Sequence, residues 1–391
     1  KKLFQLMADK KASDVFMSVG APINIKINGT AVPVNQQLMD SQTITNLLYE
    51  VINDKQKREF EESLELNTAV PLEGVGAFRI SAFRQRGTPA IVIRYIPGTI
   101  PSFDSLKLPS VLKDIIMEKR GLILMVGATG SGKSTSLAAM LDFRNEQKPG
   151  HILTLEDPVE FMFQNKKCIV NQREVGTDTL DFKVALKNAL RQAPDCILIG
   201  EIRDKDTMAA AIAYAQSGHL CLATLHANNS YHALNRIISF YPLENRPALL
   251  EDLSATLKSI ISQRLVKNKS GGRNAAVEVL LNSRHIAELI QKGEVNEIKD
   301  AMEKSLSPGC QTFEQALFNM LIEDSITEEE AMINSDSATN LLWLINNTEA
   351  GVEMQKRKGL TKPDGKKAAV AIPPPGPPPA PGSFASFKLD A

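Results

Sequence analysis

The sequence predicts an α/β protein in two parts: a small α+β domain, then a larger domain with a nucleotide-binding loop at its centre. Three observations carry this. From about Leu106, short apolar runs alternate with helical stretches, the pattern of a mostly parallel sheet. Within that region Gly127-Ala128-Thr129-Gly130-Ser131-Gly132-Lys133-Ser134-Thr135 satisfies G-x-x-x-x-G-K-[ST] at every fixed position. Ahead of it, residues 1–98 carry strand and helix patterns of their own.

In the first part, Leu3 to Lys11 predicts a short helix ending before Ala12-Ser13-Asp14. The run Ile23 to Ile27 alternates and meets Asn28-Gly29, a two-residue hairpin signal, with Val32-Pro33-Val34 returning as the second strand. A helical region is expected from Ser41 to about Glu65. Ala77–Phe83 and Ala90–Ile96 alternate as strands around a turn at Gly87-Thr88-Pro89. Pro97-Gly98-Thr99-Ile100-Pro101 breaks the pattern and reads as a linker. The expected division is therefore 1–98, a linker over 99–108, the loop-bearing domain over 109–348, and a tail over 349–391.

In the second part, candidate strands are Leu122–Val126, His151–Glu156, Cys168–Asn171, Cys196–Ile199 and Leu220–Thr224. Ser136 to Phe143 predicts the helix after the loop. Beyond about Ser230 the pattern turns helical, and the single tryptophan, Trp343, is expected in a core. The tail combines Lys356, Arg357, Lys358, Lys362, Lys366 and Lys367 with eight of the 21 prolines, so it cannot build a core. It reads as a disordered, solvated segment, with docking to a partner as the alternative.

Composition narrows the function classes. Forty-five basic residues balance 45 acidic ones, which argues against a broad nucleic-acid surface. The four cysteines form no C-x-x-C pair, so buried reduced thiols are expected and a zinc site is not. No apolar run approaches the ~20 residues that span a bilayer, and no signal peptide is read. The chain opens on Lys1 rather than Met, so a few residues are expected to precede it.

The loop carries the chemistry. Its glycines let backbone N–H groups converge on phosphate oxygens at a helix start, Lys133 reaches the β- and γ-phosphates, and the Ser134 hydroxyl suits Mg²⁺. Hydrolysis also needs an acid near the metal and a carboxylate for the attacking water. Two apolar strands end in such groups: Glu156-Asp157-Pro158-Val159-Glu160, and Glu201-Ile202-Arg203-Asp204 after Cys196–Ile199. Both would deliver them to the carboxyl edge of the sheet, where ligands bind in open α/β folds. His219 and His226, two of five histidines, bracket a strand. Their spacing puts them on opposite faces and disfavours joint metal binding, so a structural role for each is the simpler reading.

The succession GATGSGKST, LTLEDPVEF, APDCILIGEIRD and SGHLCLATLHANN resembles the hexameric ATPases of the secretion superfamily, and among them the type IV pilus retraction motors. The resemblance runs from about Leu3 to about Ala301. It implies a PAS-like amino-terminal domain, opened here by ASDVFMSVGAPINIKINGT, and a RecA-like P-loop ATPase domain with a helical carboxy-terminal region. Position by position, it implies Glu160 as the catalytic base and Glu201 as the acid near Mg²⁺. Glu156, Asp157 and Arg203 join the nucleotide-binding set, and His219 and His226 become a pair that communicates nucleotide state. Arg79 and Arg94 match arginines that approach the phosphates when the two domains close, which adds charge compensation in the transition state.

Departures narrow the branch. The tetracysteine insertion of extension motors is missing, the stretch Ser283–Gly293 matches the AIRNLIRE-like motif of retraction motors only in its first half, and Val15-Phe16 replaces the usual residues after Ser13-Asp14. With the proline-rich extension, these favour the accessory branch of the retraction motors. The implied setting is a cytoplasmic homo-hexamer using ATP and Mg²⁺ at the inner-membrane base of the pilus machine. Its implied partners are a PilT-like motor ring and the platform protein, with no nucleic acid and no direct membrane insertion. An ATP-dependent structural adaptor stacked on that ring is the alternative. A RecA-like nucleic-acid translocase is a third reading, disfavoured by the balanced charge.

Overall fold

Two sheets organise the chain in the computed structural model, which describes residues 2–357 apart from Asn28 and Glu73. The first part contains α1 (Lys2–Asp9), β1 (Asp14–Ser18), β2 (Asn24–Ile27), β3 (Thr30–Pro33), α2 (Ser41–Tyr49), α3 (Asp54–Ser63), β4 (Glu65–Leu72), β5 (Gly76–Gln85) and β6 (Thr88–Pro97). Its six strands run antiparallel in the order β3-β2-β1-β6-β5-β4. Asp40 caps α2 through the Thr43 N–H, and Asn53 with Gln56 forms a capping box on α3. The single helical region expected over 41–65 is thus two helices. Strands β1 and β4 were not anticipated. Gln85 pairs with Thr88, which leaves Arg86 (φ 49°) and Gly87 (φ 75°) as the two left-handed residues of the β5–β6 hairpin.

Phe78, Ile80 and Ile93 pack with Phe4, Met7, Ile44 and Leu48 from the helices in one core. Strand alternation then places Arg79 and Arg94, directly opposite each other in register, on the other face of the sheet.

The second part contains α4 (Val111–Ile116), β7 (Gly121–Val126), α5 (Lys133–Gln147), β8 (Gly150–Glu156), β9 (Cys168–Glu174), α6 (Phe182–Ala189), β10 (Cys196–Ile199), α7 (Lys205–Gln216), β11 (Leu220–Leu225), α8 (Ser230–Ser239), α9 (Arg246–Thr256), β12 (Leu257–Lys267) and β13 (Arg273–Leu281). The seven strands lie in the order β13-β12-β7-β11-β10-β8-β9. All pairings are parallel except β12 with β13. Every residue of β7, β10 and β11 is buried, as strands covered on both faces require. The region after Ser230 is therefore not wholly helical: β12 and β13 complete the sheet. Cys168, Cys196 and Cys221 are buried free thiols and Cys310 is half-buried. Burial pushes the Cys196 thiol up to about 12.

Helices α10 (Arg284–Lys292), α11 (Ile298–Glu303), α12 (Phe313–Ile322), α13 (Glu328–Asn334), α14 (Ala338–Asn347) and α15 (Glu349–Arg357) follow. Phe313, Leu317, Leu321, Leu341, Ile345 and Met354 pack on Val266 and Ala276 of the β12–β13 pair. The ordered region thus runs past the boundary expected at 348. Trp343 is 60% exposed and not a core residue. The proline tract and the lysines from Lys358 onward lie outside the described residues. Among the described residues no helix is long and apolar enough to cross a membrane.

Candidate active site

Residues 127–132 join β7 to α5. Gly130 and Gly132 adopt φ of 77° and 85°, the left-handed region that glycine enters without a Cβ penalty. Gly132 caps α5 with no side-chain hydrogen bond, so the first N–H groups of that helix are open to an anion. Lys133 folds back on the loop, its Nζ donating to the carbonyls of Gly127 (2.8 Å) and Ala128 (2.9 Å). Burial pulls the Lys133 ammonium down, while Glu160 and Glu201 act the other way. Ser131 Oγ is buried in the loop without a hydrogen-bond partner. A loop with open N–H groups, an orphan hydroxyl and a lysine held only by carbonyls has the donor set a polyphosphate needs.

The two acidic clusters meet across the sheet edge. Glu156, at the end of β8, is 8% exposed and takes hydrogen bonds from Thr154 Oγ1 (2.6 Å) and Gln172 Nε2 (3.2 Å). Burial pushes its carboxyl up. Glu174 at the end of β9 accepts the Val159 N–H (3.0 Å) and so holds the segment leading to Glu160. Glu201 follows β10 and accepts from Arg203 Nε (2.6 Å), while Arg203 Nη1 lies 3.3 Å from Asp157 Oδ2. Arg203 therefore ties the clusters together. His226 Nε2 sits 3.4 Å from Glu201 Oε1.

His219 does not join this group. It precedes β11 at the edge of the sheet opposite the loop, its carbonyl accepting from the Gly121 N–H (3.0 Å) and its Nδ1 3.0 Å from Ser217 Oγ. A strand at ~3.3 Å per residue separates the two histidines by on the order of 20 Å.

Of the two candidate arginines from the first part of the chain, Arg94 lines the cavity and Arg79 does not, although it feels the charge of the site's carboxylates. Arg94 lines the same cavity as the loop, and its Nε donates to Asp14 Oδ1 at 2.9 Å. Asp14 is itself buried and opposite Arg94 in the β1–β6 register. Arg79 Nε is buried without a partner. Burial pulls the Arg79 guanidinium down and the carboxylates of Glu160, Glu174 and Asp157 raise it against Arg94.

Thr129, Lys133, Ser134, Glu160, Glu201 and His226 line one cavity of about 540 Å³, within the range of ligand sites. Thr135, Gly130, Gly132, Glu156 and Asp157 line it too, as do Leu265 and Arg273 of the β12–β13 pair, which sequence reasoning missed. It also missed Gln263, whose amide bonds to Ser131 and Ser136 beneath the loop. The signal was Asn268-Lys269-Ser270-Gly271-Gly272, a turn that makes a hairpin of the flanking runs. No group of three His, Cys, Asp or Glu side chains able to hold a metal exists among the described residues. The hard oxygen donors of Ser134 and Glu201 suit Mg²⁺, an ion that usually takes few protein ligands plus substrate phosphates.

Comparison with known proteins shows the family. The family described as "Type II/IV secretion system protein" matches residues 1–332. The type IV pilus ATPase PilU of Pseudomonas aeruginosa is 49% identical over 346 residues, covering 88% of this chain and 91% of that protein. The type IV pilus retraction ATPase PilT of the same organism is 40% identical, covering 84% and 96%. A crystal structure of the pilus retraction motor PilT with bound ADP superposes with a TM-score of 0.82 at 38% identity, covering 87% of this chain and 98% of that one.

Proposed function

We infer that this chain, which belongs to the type II/IV secretion system protein family, is a motor ATPase of type IV pilus retraction, of the accessory PilU kind. It is an ATP hydrolase of the family that includes PilU and PilT, and its identity to PilU exceeds that to PilT, 49% against 40%. One observation carries the mechanism: loop, carboxylates, histidine and an arginine from the other domain face a single cavity.

In this reading the N–H groups of residues 130–135 take the β-phosphate, and Lys133 leaves the carbonyls of Gly127 and Ala128 for the β- and γ-phosphates. Ser134 Oγ and Glu201 would hold Mg²⁺, which supplies charge compensation on the phosphate oxygens when bound. Glu160 accepts the proton of the water that attacks the γ-phosphorus as the bond to the bridging oxygen breaks. His226 and Arg203 hold the Glu201 carboxylate. Arg79 and Arg94 bring positive charge to the leaving phosphates, so hydrolysis is coupled to the placement of the first domain, read here as PAS-like, against the second, read as RecA-like. The working assembly is a cytoplasmic homo-hexamer at the inner-membrane base of the pilus machine, acting with a PilT-like ring and the platform protein.

Purified protein tests this. Lys133→Ala should abolish turnover, and near-normal turnover would overturn the site. Glu160→Gln should slow turnover at least ~100-fold while ADP affinity stays within a few-fold. Loss of binding instead would remove Glu160 from the base role. In cells whose PilT cannot hydrolyse ATP, retraction driven by this chain would confirm a motor, and its absence would return the role to an adaptor.

A further inference from the structure

Three consecutive residues of β12 reach three different parts of the molecule. Ser262 donates to Glu278 (2.8 Å), which also accepts the Ser230 N–H at the start of α8 (2.7 Å). Arg264 donates to the Asn228 carbonyl (3.2 Å) and to Asp336 beside α14. Gln263, on the opposite face by strand alternation, lies under the phosphate loop and is 2% exposed. Its Nε2 donates to the Ser131 carbonyl at 2.8 Å, and its Oε1 accepts from Ser136 Oγ at 2.7 Å. A carbonyl can only accept, so the NH₂ end of the amide is fixed toward Ser131.

The consequence follows from peptide geometry. The Ser131 carbonyl and the Gly132 N–H belong to one trans peptide, so they point in opposite directions. Anchoring that carbonyl beneath the loop obliges the Gly132 N–H to face the cavity above it. Glycine at φ 85° tolerates the reversed orientation, which would aim a carbonyl oxygen at the phosphate. The loop's own bond, from Ser131 N to Ala128 O at 3.2 Å, belongs to the preceding peptide and does not oppose such a reversal. The two Lys133 contacts are given up once that side chain turns to a phosphate.

We propose that Gln263 is a positioning residue for nucleotide: it never touches the ligand but locks the Ser131–Gly132 peptide with its N–H toward the β-phosphate. The proposal rests on the ATPase reading above. It places the determinant of loop geometry on a strand more than a hundred residues downstream of the loop.

The test compares Gln263→Met, Gln263→Glu and Ser136→Ala with the full chain and with Lys133→Ala, reading ADP affinity with a fluorescent ADP analogue, the KM for ATP, and Tm without nucleotide. Gln263→Met removes both bonds. Gln263→Glu keeps the volume and the Ser136 bond but sets an acceptor against the Ser131 carbonyl. Ser136→Ala leaves the Ser131 bond intact. Both Gln263 variants should lose ~10–100-fold in ADP affinity, the scale of one or two unmade buried hydrogen bonds, with KM rising in parallel. Ser136→Ala should stay within ~3-fold. Wild-type affinity in either folded Gln263 variant overturns the proposal. Equal losses in Ser136→Ala and Gln263→Met also overturn it, because the effect would then be packing of β12 on α5. Near-normal turnover in Lys133→Ala would instead overturn the assignment of this loop as the ATP site, whatever Gln263 does.

Discussion

Replacing Gly132 with alanine should damage the protein before any nucleotide is added, and the structure says by how much more than the same change at Gly130. Both glycines sit at positive φ, 85° and 77°, so each alanine meets the left-handed penalty of ~1–2 kcal/mol. At Gly130 nothing lies within 4 Å of the new Cβ, and the cost stops there. At Gly132 the Cβ would stand 2.7 Å from Gln263 Nε2. That amide cannot step aside freely, because it is 2% exposed and bonded at both ends. Moving it leaves the buried Ser131 carbonyl without a donor, which costs a further ~1–3 kcal/mol. Gly132→Ala should therefore be less stable than Gly130→Ala by ~1–3 kcal/mol. Urea unfolding followed by circular dichroism, without nucleotide and with m unchanged, measures the difference directly. Coincident midpoints for the two variants would refute the packing of Gln263 against the loop.

Three further outcomes are expected. Glu278 is 3% exposed and burial raises its carboxyl, so the folded protein keeps a proton that the unfolded chain releases. Its contribution is full below the ordinary carboxylate range and is lost as pH rises toward the folded value. Glu278→Gln should flatten the fall of Tm with pH across that window, and an unaltered slope would refute the assignment. Asp14→Asn removes the charge that holds Arg94, which is 61% exposed, so stability should change by at most ~1 kcal/mol. Turnover should nevertheless fall several-fold with Tm lowered by no more than about 4 °C, and wild-type turnover would show that Asp14 does not aim the arginine. Trp343→Ala should shift stability by no more than ~0.5 kcal/mol, a value read from the urea midpoint, because the ring is largely in water.

Much of the site was legible because its chemistry is local. The loop, Glu156-Asp157 and Glu201 each sit at the end of a short apolar run, and the five strands that carry this pattern all form. What was not legible depends on pairing across long separations. Strand β12 starts at Leu257 directly after α9 ends at Thr256, with no glycine or proline to mark the change. Its buried Ser259, Ser262 and Gln263 also interrupt the apolar run that a covered strand normally shows. Strand β4 was hidden in a similar way, beginning at Glu65 one residue after α3, where Leu64 turns the chain at φ 66°. The misplacement of Trp343 has a different origin. α14 buries Leu341 and Ile345 on one face, and the tryptophan two residues from each lies outside that stripe.

The position of β7 in its sheet has a consequence for biosynthesis. The strand that launches the loop is flanked by β11 and β12, so its second neighbour begins only at Leu257. A chain emerging from the ribosome has made the whole glycine motif long before it has made that neighbour. Until then β7 lacks one hydrogen-bonded edge, and the Ser131 carbonyl lacks its donor. Contacts of such sequence separation form slowly, since loop closure precedes any gain from them. Ligand stabilisation acts only on a state that binds. Nucleotide therefore stabilises the early strands less than it stabilises the finished sheet, and the loop gains its full affinity only once β12 is in place.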